Sequence, residues 1–436
     1  METISISGFG GFKEAKFETA PIMVFIGEQA TGKSIVAKLL YFFRNLGANP
    51  PVLRHDSEEH GRKWCREEFS TLFPPEDWGL GGFEIRYECN EQSVRISHPA
   101  KSEISPNAVE IEWSRFYSGA WEKWSQRLTE VKSVFEHGDV AGSYARTLRL
   151  HEEVRKDVEE SLGAESAFEQ VFVPAGRGFF AQISENIFTM LASNQGDVSK
   201  SFDPFLLRFG SLLQYYKKNF KSLGFFEART TSHGRFPSVR EYVENILKAE
   251  YVRENGQDIL LHPDGRRVEL RLAASGQQES LPLLLTLGRV LAGGHDPGRS
   301  VYFEEPEAHL FPNAQRQIVE LLAAAFNLRR DRVRFVITTH SPYILSVLDN
   351  LLQAGQRYAS PKPDKKIGKI VPQVFALRPG DVAVYSLGNG QARLIMDPET
   401  KLIEADIIDN VSMEIDEQFH RLPTFRRSRG VVSDFF

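Results

Sequence analysis

Gly27-Glu28-Gln29-Ala30-Thr31-Gly32-Lys33-Ser34 spells G-x-x-x-x-G-K-S, and the residues on either side decide how it folds. Before it, Ile22-Met23-Val24-Phe25-Ile26 is a short apolar run suited to a buried parallel strand. After it, Ile35, Val36, Leu39, Leu40, Phe43 and Leu46 recur at helical spacing until Gly47. Strand, glycine loop and helix in that order predict a phosphate cradle. The loop's N–H groups turn inward, Lys33 reaches the β and γ oxygens of a nucleotide triphosphate, Ser34 offers its hydroxyl to Mg²⁺, and the helix dipole adds favourable potential. Gly27, Gln29, Ala30, Thr31 and Gly32 are therefore expected to line the same nucleotide site as Lys33 and Ser34.

The chain has 436 residues, 41% hydrophobic and 25% charged, which allows two or three lobes around a sizeable core. A net charge of −5 excludes a chain-wide basic field for wrapping nucleic acid and leaves room only for local basic patches. Cys65 and Cys89 are the sole cysteines and lack ligand-like spacing, so neither a disulfide framework nor a thiolate metal site is indicated. Residues 1 to 11 carry no basic segment followed by an apolar core, and no run approaches the ~20 apolar residues that span a bilayer. The chain reads as soluble and cytoplasmic, with no membrane partner.

Along the chain, residues 1–47 read as the N-terminal part of a nucleotide core, with Thr3 to Ser7 alternating as a strand before the phosphate loop. Residues 48–170 read as an insertion of hairpins and helices, with alternating segments at Phe83 to Glu88 and Val109 to Trp113. Residues 171–272 begin with a buried strand, Val171-Phe172-Val173, ending in a glycine turn. Helical stretches follow at Phe179 to Leu191, Pro204 to Phe220 and Pro237 to Ala249, then a hairpin turning at Asp264-Gly265. Residues 273–350 return to α/β, and residues 351–436 form a C-terminal region with a hairpin signal at Asn389-Gly390 and a basic, aromatic tail from Phe419 to Phe436. Such a tail can touch phosphates or stack bases, or simply dock a partner. Arg329, Arg330, Arg332 and Arg334 surround a loop and are expected to solvate it.

The strand Val301-Tyr302-Phe303 ends in Glu304-Glu305-Pro306-Glu307. Two adjacent acids after a buried strand suit nucleotide hydrolysis, with Glu304 holding Mg²⁺ and Glu305 polarising the attacking water. The next strand, Val333 to Ile337, ends in Thr338-Thr339-His340-Ser341-Pro342, which puts His340 at the same carboxyl edge, where open parallel sheets bind ligands. It would contact the γ-phosphate or orient Glu305. Ser275-Gly276-Gln277-Gln278 precedes an apolar helix, so the Ser275 hydroxyl either attracts an anion or caps that helix. Arg177, after the strand at 171–173, is open to a phosphate contact, an interface contact or a surface ion pair.

Together these motifs resemble an ATP-binding-cassette (ABC) type ATPase of the class grouped with the overcoming-lysogenization-defect (OLD), RecF and Rad50/SMC proteins. The resemblance is carried by Ile6-Ser7-Gly8-Phe9-Gly10-Gly11-Phe12, the phosphate loop, Val173-Pro174-Ala175-Gly176-Arg177, Ser275-Gly276-Gln277-Gln278, Glu304 to Leu310 and Thr339-His340-Ser341-Pro342, in the family's order. It implies an α/β, ABC-ATPase-like P-loop core, a mixed sheet flanked by helices, with an inserted helical lobe. It also implies ATP and Mg²⁺ as ligands, Glu305 and His340 as catalytic groups, and Ser34 and Glu304 as metal-side groups. Ser275, Gly276 and Gln277 of one copy would cap the γ-phosphate held by another, so that a homo-oligomer closes around ATP. This sequence departs from the transporter pattern in carrying Glu304 for aspartate, Gln277 for the second signature glycine, and Phe311 where histidine or aspartate is common. The glutamine-loop residue is not assignable by motif, and Arg177 and Gln182 are its candidates. Small ATPases of this appearance resemble subunits of bacterial anti-phage defence systems, in which a neighbouring nuclease or toxin is held or released by a slow ATPase. The alternatives are a RecF-like DNA-repair ATPase and an ATP-bound scaffold with little turnover, and nucleic acid, if bound, would not be read by sequence.

Overall fold

The computed structural model describes residues 2–55, 57–79, 81–100, 104–136, 140–182, 202–219, 239–292, 298–360 and 366–404. The expected helical stretch beyond Gln182, the end of the one starting at Pro204 and the basic tail lie wholly or partly outside them.

The chain opens with strands β1 (Glu2–Ser7), β2 (Glu14–Glu18) and β3 (Ile22–Ile26), then helices α1 (Lys33–Ala48) and α2 (Glu58–Leu72). Strands β4 (Phe83–Cys89), β5 (Gln92–His98) and β6 (Glu110–Trp113) follow, then the helices α3 (Arg115–Glu136) and α4 (Val140–Leu162). The middle of the chain supplies β7 (Glu169–Val173), the short α5 (Phe179–Gln182), α6 (Pro204–Asn219), α7 (Val239–Leu247), and strands β8 (Glu250–Glu254), β9 (Gln257–Leu261) and β10 (Arg267–Glu269). Helix α8 (Ser275–Ala292), β11 (Arg299–Glu304), α9 (Pro312–Leu328), β12 (Val333–Thr339), α10 (Pro342–Tyr358), β13 (Val382–Gly388) and β14 (Gln391–Leu394) complete it.

The central sheet runs β14-β13-β3-β12-β11-β7, five parallel strands with β14 antiparallel at one edge. All of its parallel strands therefore end on one side. Every residue of β3 and β11 is buried, as expected of strands covered on both faces. The period-two alternation of β3 sorts its side chains: Ile22, Val24 and Ile26 join a core with α8, α9 and α10, while Met23 and Phe25 join a second core with α1 and the antiparallel strands. The result is the expected mixed α/β P-loop core, sheets flanked by helices.

Two assignments of chain to lobe differ from the linear reading. Strands β1 and β2 do not join the nucleotide sheet. They pair with β4, β5 and β6 in a separate antiparallel sheet of order β2-β1-β4-β5-β6, so the 48–170 segment supplies three of its five strands. Strand β13 forms the expected hairpin with β14 across Asn389-Gly390, and it also pairs parallel with β3 at the heart of the sheet. The pairings of β1 with β4 and of β13 with β3 are non-local, which composition and periodicity do not encode. Strand β8 was not anticipated either. It pairs with β9 through Asn255-Gly256, both at positive φ (50° and 82°), the geometry that favours Asn-Gly in tight hairpins.

The antiparallel sheet is tied to α1 by a buried ion pair. Arg44 donates from Nε to Glu2 Oε1 at 2.7 Å and from Nη2 to Glu2 Oε2 at 2.8 Å, while Tyr87 Oη and Thr19 Oγ1 donate to the same carboxylate at 2.7 and 2.9 Å. Burial works to raise the Glu2 pKa, but the charge and hydrogen bonds of Arg44, with those of Tyr87 and Thr19, outweigh it and hold the carboxyl below its usual range. A depressed folded-state pKa contributes stability above the unfolded value and loses it as pH falls through the folded value. Glu2→Gln is expected to cost about 3 kcal/mol at neutral pH by leaving Arg44 under-paired. The gap to wild type should narrow below about pH 4, as checked by urea melts across pH.

Candidate functional site

The register of the central sheet sets the site. Thr339 pairs with Ile26 and Thr338 with Glu304, so the phosphate loop, the acidic segment and the histidine leave neighbouring strands at one edge. The loop is wedged in place. A Cβ on Gly27 would lie 2.3 Å from the Leu387 carbonyl oxygen of β13, and one on Gly32 (φ 93°) would lie 2.5 Å from the ring of Phe12. Phe12 belongs to the turn between β1 and β2, whose Lys13 N–H donates to Gly390 O at 2.8 Å. The opening glycine-aromatic segment and the Asn389-Gly390 turn therefore both brace the loop.

Helix α1 starts at Lys33 with left-handed Gly32 as its N-cap and no capping side chain, so its first N–H groups face the loop. Lys33 is buried, and its Nζ donates to Gly27 O at 2.8 Å and to Glu28 O at 2.5 Å. The same nitrogen lies 3.4 Å from His340 Nδ1, and His340 Nε2 lies 3.1 Å from Glu305 Oε1. Lys33, His340 and Glu305 thus form one chain of contacts. In this geometry one ring nitrogen faces the ammonium and the other faces the carboxylate. Burial holds the Lys33 pKa below the usual lysine range, against the opposing pull of Glu305 and Glu307. Glu28, Gln29, Ala30 and Ser34 are exposed around this group.

Glu304 is 7% exposed; its Oε2 accepts from the Ala175 N–H at 3.2 Å, and its Oε1 is buried without a hydrogen-bond partner. A carboxylate oxygen left like this costs about 1–3 kcal/mol unless something completes its shell. Among the described residues, no group of three His, Cys, Asp or Glu could hold a metal by itself. One carboxylate and an exposed Ser34 hydroxyl nevertheless fit Mg²⁺, which takes few protein ligands when a triphosphate brings its own oxygens.

Two residues expected at the nucleotide are engaged elsewhere in the described structure. Arg177 is 0% exposed, and its guanidinium donates to the carbonyls of Pro174 (3.1 Å), Glu279 (3.0 Å), Glu304 (2.6 Å) and Glu305 (2.8 Å), so it does not face the phosphate loop. The Gln277 side chain is turned inward, donating to Leu247 O at 2.6 Å and accepting from the Ala274 N–H at 3.2 Å; it anchors the start of α8 instead of reaching a ligand. Gln182, the other glutamine-loop candidate, donates to Arg271 O at 2.8 Å.

Ser275 is exposed at the first residue of α8, and none of the hydrogen bonds of Lys33, Glu305 or His340 goes to it among the described residues. Gly276 packs against the acidic segment of its own chain, where a Cβ would meet His309 O at 2.7 Å.

Glu307 was missed in the sequence. Its Oε1 accepts from Thr339 Oγ1 at 2.6 Å and from the His340 N–H at 2.9 Å, and Thr339 Oγ1 in turn accepts from the Ser341 N–H at 2.9 Å. This buried relay sets where His340 leaves its strand. The signal was present as a third acid within four residues after a buried strand, one more than metal and water require.

Residues 179–345, less than half of the chain, match the family model described as AAA ATPase domain. No curated protein matches the sequence. Among solved structures, the chain is similar to an SMC head domain with an extended coiled coil bound to the C-terminal domain of ScpA from Pyrococcus furiosus, at 10% identity, covering 97% of this chain and 100% of that one with a TM-score of 0.40. An SMC head domain from Thermotoga maritima matches at 11% identity, 90% and 97% coverage and a TM-score of 0.34. The recombination mediator RecF matches at 9% identity, 90% and 97% coverage and a TM-score of 0.32. Residues 179–345 thus match an ATPase domain model, and the described core places the phosphate loop, the acidic segment and the histidine at one edge of a mixed α/β sheet. No helix among the described residues is long and apolar enough to cross a membrane.

Thr339→Val keeps the shape of the relay but removes its hydroxyl. It is expected to cost about 2 kcal/mol in denaturant unfolding by leaving the buried Glu307 oxygen and the Ser341 N–H short of a partner, whereas Thr339→Ser should recover most of that loss.

Proposed function

We propose that this protein hydrolyses ATP slowly at the carboxyl edge of its central sheet, as a cytoplasmic homo-oligomer that closes around the nucleotide and gates an effector protein. The observation that carries the reading is the unbroken contact chain from Lys33 through His340 to Glu305. Lys33 rests on two loop carbonyls, Gly27 and Glu28, which a β- or γ-phosphate oxygen outcompetes because it carries full charge. Ser34 and the partnerless oxygen of Glu304 would hold Mg²⁺, whose role is to neutralise charge on the phosphates. Glu305 accepts the proton of the attacking water as the bond between the γ-phosphorus and its bridging oxygen breaks and ADP leaves. His340, donating to Glu305 in the resting site, keeps that carboxylate aimed and can turn to the departing phosphate.

Closure by a second copy is supported by the exposed position of Ser275 and by Phe311, whose side chain is 80% exposed beside the acidic segment. A helix N-terminus is a good anion receptor, and the γ-phosphate of a neighbouring copy is the anion we assign to Ser275 and Gly276. The effector, a nuclease or toxin in anti-phage defence, is inferred from the sequence resemblance alone.

Lys33→Ala should weaken nucleotide binding by about 100-fold or more, read by fluorescent-nucleotide titration. Glu305→Gln should retain ATP, slow single-turnover hydrolysis by about 100-fold or more, and shift the measured mass to a closed oligomer when ATP is present. Equal turnover by Glu305→Gln and wild type contradicts the assignment. Affinity capture from the native host with ATP-loaded Glu305→Gln should recover a nuclease or toxin encoded beside this gene. ATP turnover stimulated by DNA with a steep inverse salt dependence would instead indicate a DNA clamp.

A further inference from the structure

A heavily bonded charged group lies not in the phosphate site but behind it. Arg177 directs four hydrogen bonds at backbone carbonyls, two of them at Glu304 and Glu305 themselves. It is held from the other side by Glu279, whose Oε2 accepts from the Arg177 N–H and whose Oε1 accepts from the Gly178 N–H, both at 2.8 Å. Glu279 lies one helical turn after Ser275 on α8 and makes no hydrogen bond to residues 304–310 among those described.

The peptide that Arg177 grips needs gripping. Glu305 sits at φ 43°, a left-handed conformation that a residue with a Cβ rarely adopts, and it precedes a proline, which narrows its choices further. Its N–H donates to Thr338 O at 2.9 Å, and its carbonyl receives both Arg177 Nη2 and the Ala308 N–H at 3.0 Å. A strained residue of this kind persists only when its surroundings over-determine it. Here the strain aims the carboxylate at His340.

We propose that Arg177, anchored by Glu279, is the positioning residue for the Glu304–Glu305 pair, and that it ties the pair to the Ser275 end of α8. A buried lysine would keep the charge but lose the planar fork that serves several carbonyls at once. A glutamine at 279 would keep one acceptor and turn an N–H against a backbone N–H. The kinetic part rests on the proposed ATPase reading; the structural part does not.

The test compares Arg177→Lys and Glu279→Gln with wild type by hydrogen exchange and kinetics. In both variants the amides of Glu305, Ala308 and Leu310 should exchange about tenfold faster or more, while residues 22–34 stay unchanged. ATP affinity should hold within about threefold as single-turnover hydrolysis falls about 30-fold. In a Glu305→Gln background the Arg177→Lys change should add no further kinetic loss, because it acts through Glu305. Unchanged exchange at 304–310, an equal rise across residues 22–34, or a loss of ATP affinity in step with rate would overturn the proposal. If Arg177→Lys does not fold, Glu279→Gln decides by the same readings. If wild type turns over no ATP, the ATPase reading fails while the exchange comparison still decides the strut.

Discussion

Everything at the candidate site depends on the register of three neighbouring strands. Ile26 opposite Thr339 and Thr338 opposite Glu304 bring to one edge three segments that are far apart along the chain. A slip of two residues between β12 and β11 would keep every side chain on its proper face yet displace Glu305 by about 7 Å from His340. The alternation of β3 between two cores resists single-residue slips, because Met23 and Phe25 cannot exchange places with Val24 and Ile26 without refilling both cores. Packing therefore fixes the register, and the register fixes the chemistry.

Behind that edge lies a second layer that is polar, buried and not directed at ligand. Glu307 holds the start of the histidine segment, and Arg177 with Glu279 holds the acidic segment. Burying charges is costly unless they are paired and hydrogen-bonded, and replacing such a cluster with apolar groups is often neutral or stabilising. Its presence here is better understood as aiming the carboxylates than as adding stability. One carboxylate oxygen each of Glu304 and Glu307 is buried there without a hydrogen-bond partner.

The elements legible in the sequence were those whose signal is local. The phosphate loop, β3 and α1 could be read from some 27 consecutive residues, and His340 and Glu305 from their places just after apolar strands. Non-local pairing was not legible: that β1 and β2 belong with β4, and that β13 lies beside β3, is set by core shape across hundreds of residues. The burial of Arg177 was not legible, for a physical reason. An arginine after a strand and a glycine is ordinarily solvated, and its burial follows only from the presence of Glu279 and two strand-end carbonyls that the sequence places more than a hundred residues away. For Gln277 the sequence leaves two placements open, since a glutamine at the third position of a helix can reach outward or close back on the helix start; in the described structure it closes back. Asn255-Gly256, by contrast, was a local signal that went unused.

The central claim is that one triphosphate is grasped by Lys33 and attacked beside Glu305 and His340. A crystal structure with Mg²⁺ and a non-hydrolysable ATP analogue tests it most directly. The Lys33 ammonium should leave the Gly27 and Glu28 carbonyls for the β and γ oxygens, with His340 and Glu305 within about 4 Å of the γ-phosphate or its attacking water. An analogue seated elsewhere, or Lys33 still bound to its own loop with nucleotide present, would contradict it.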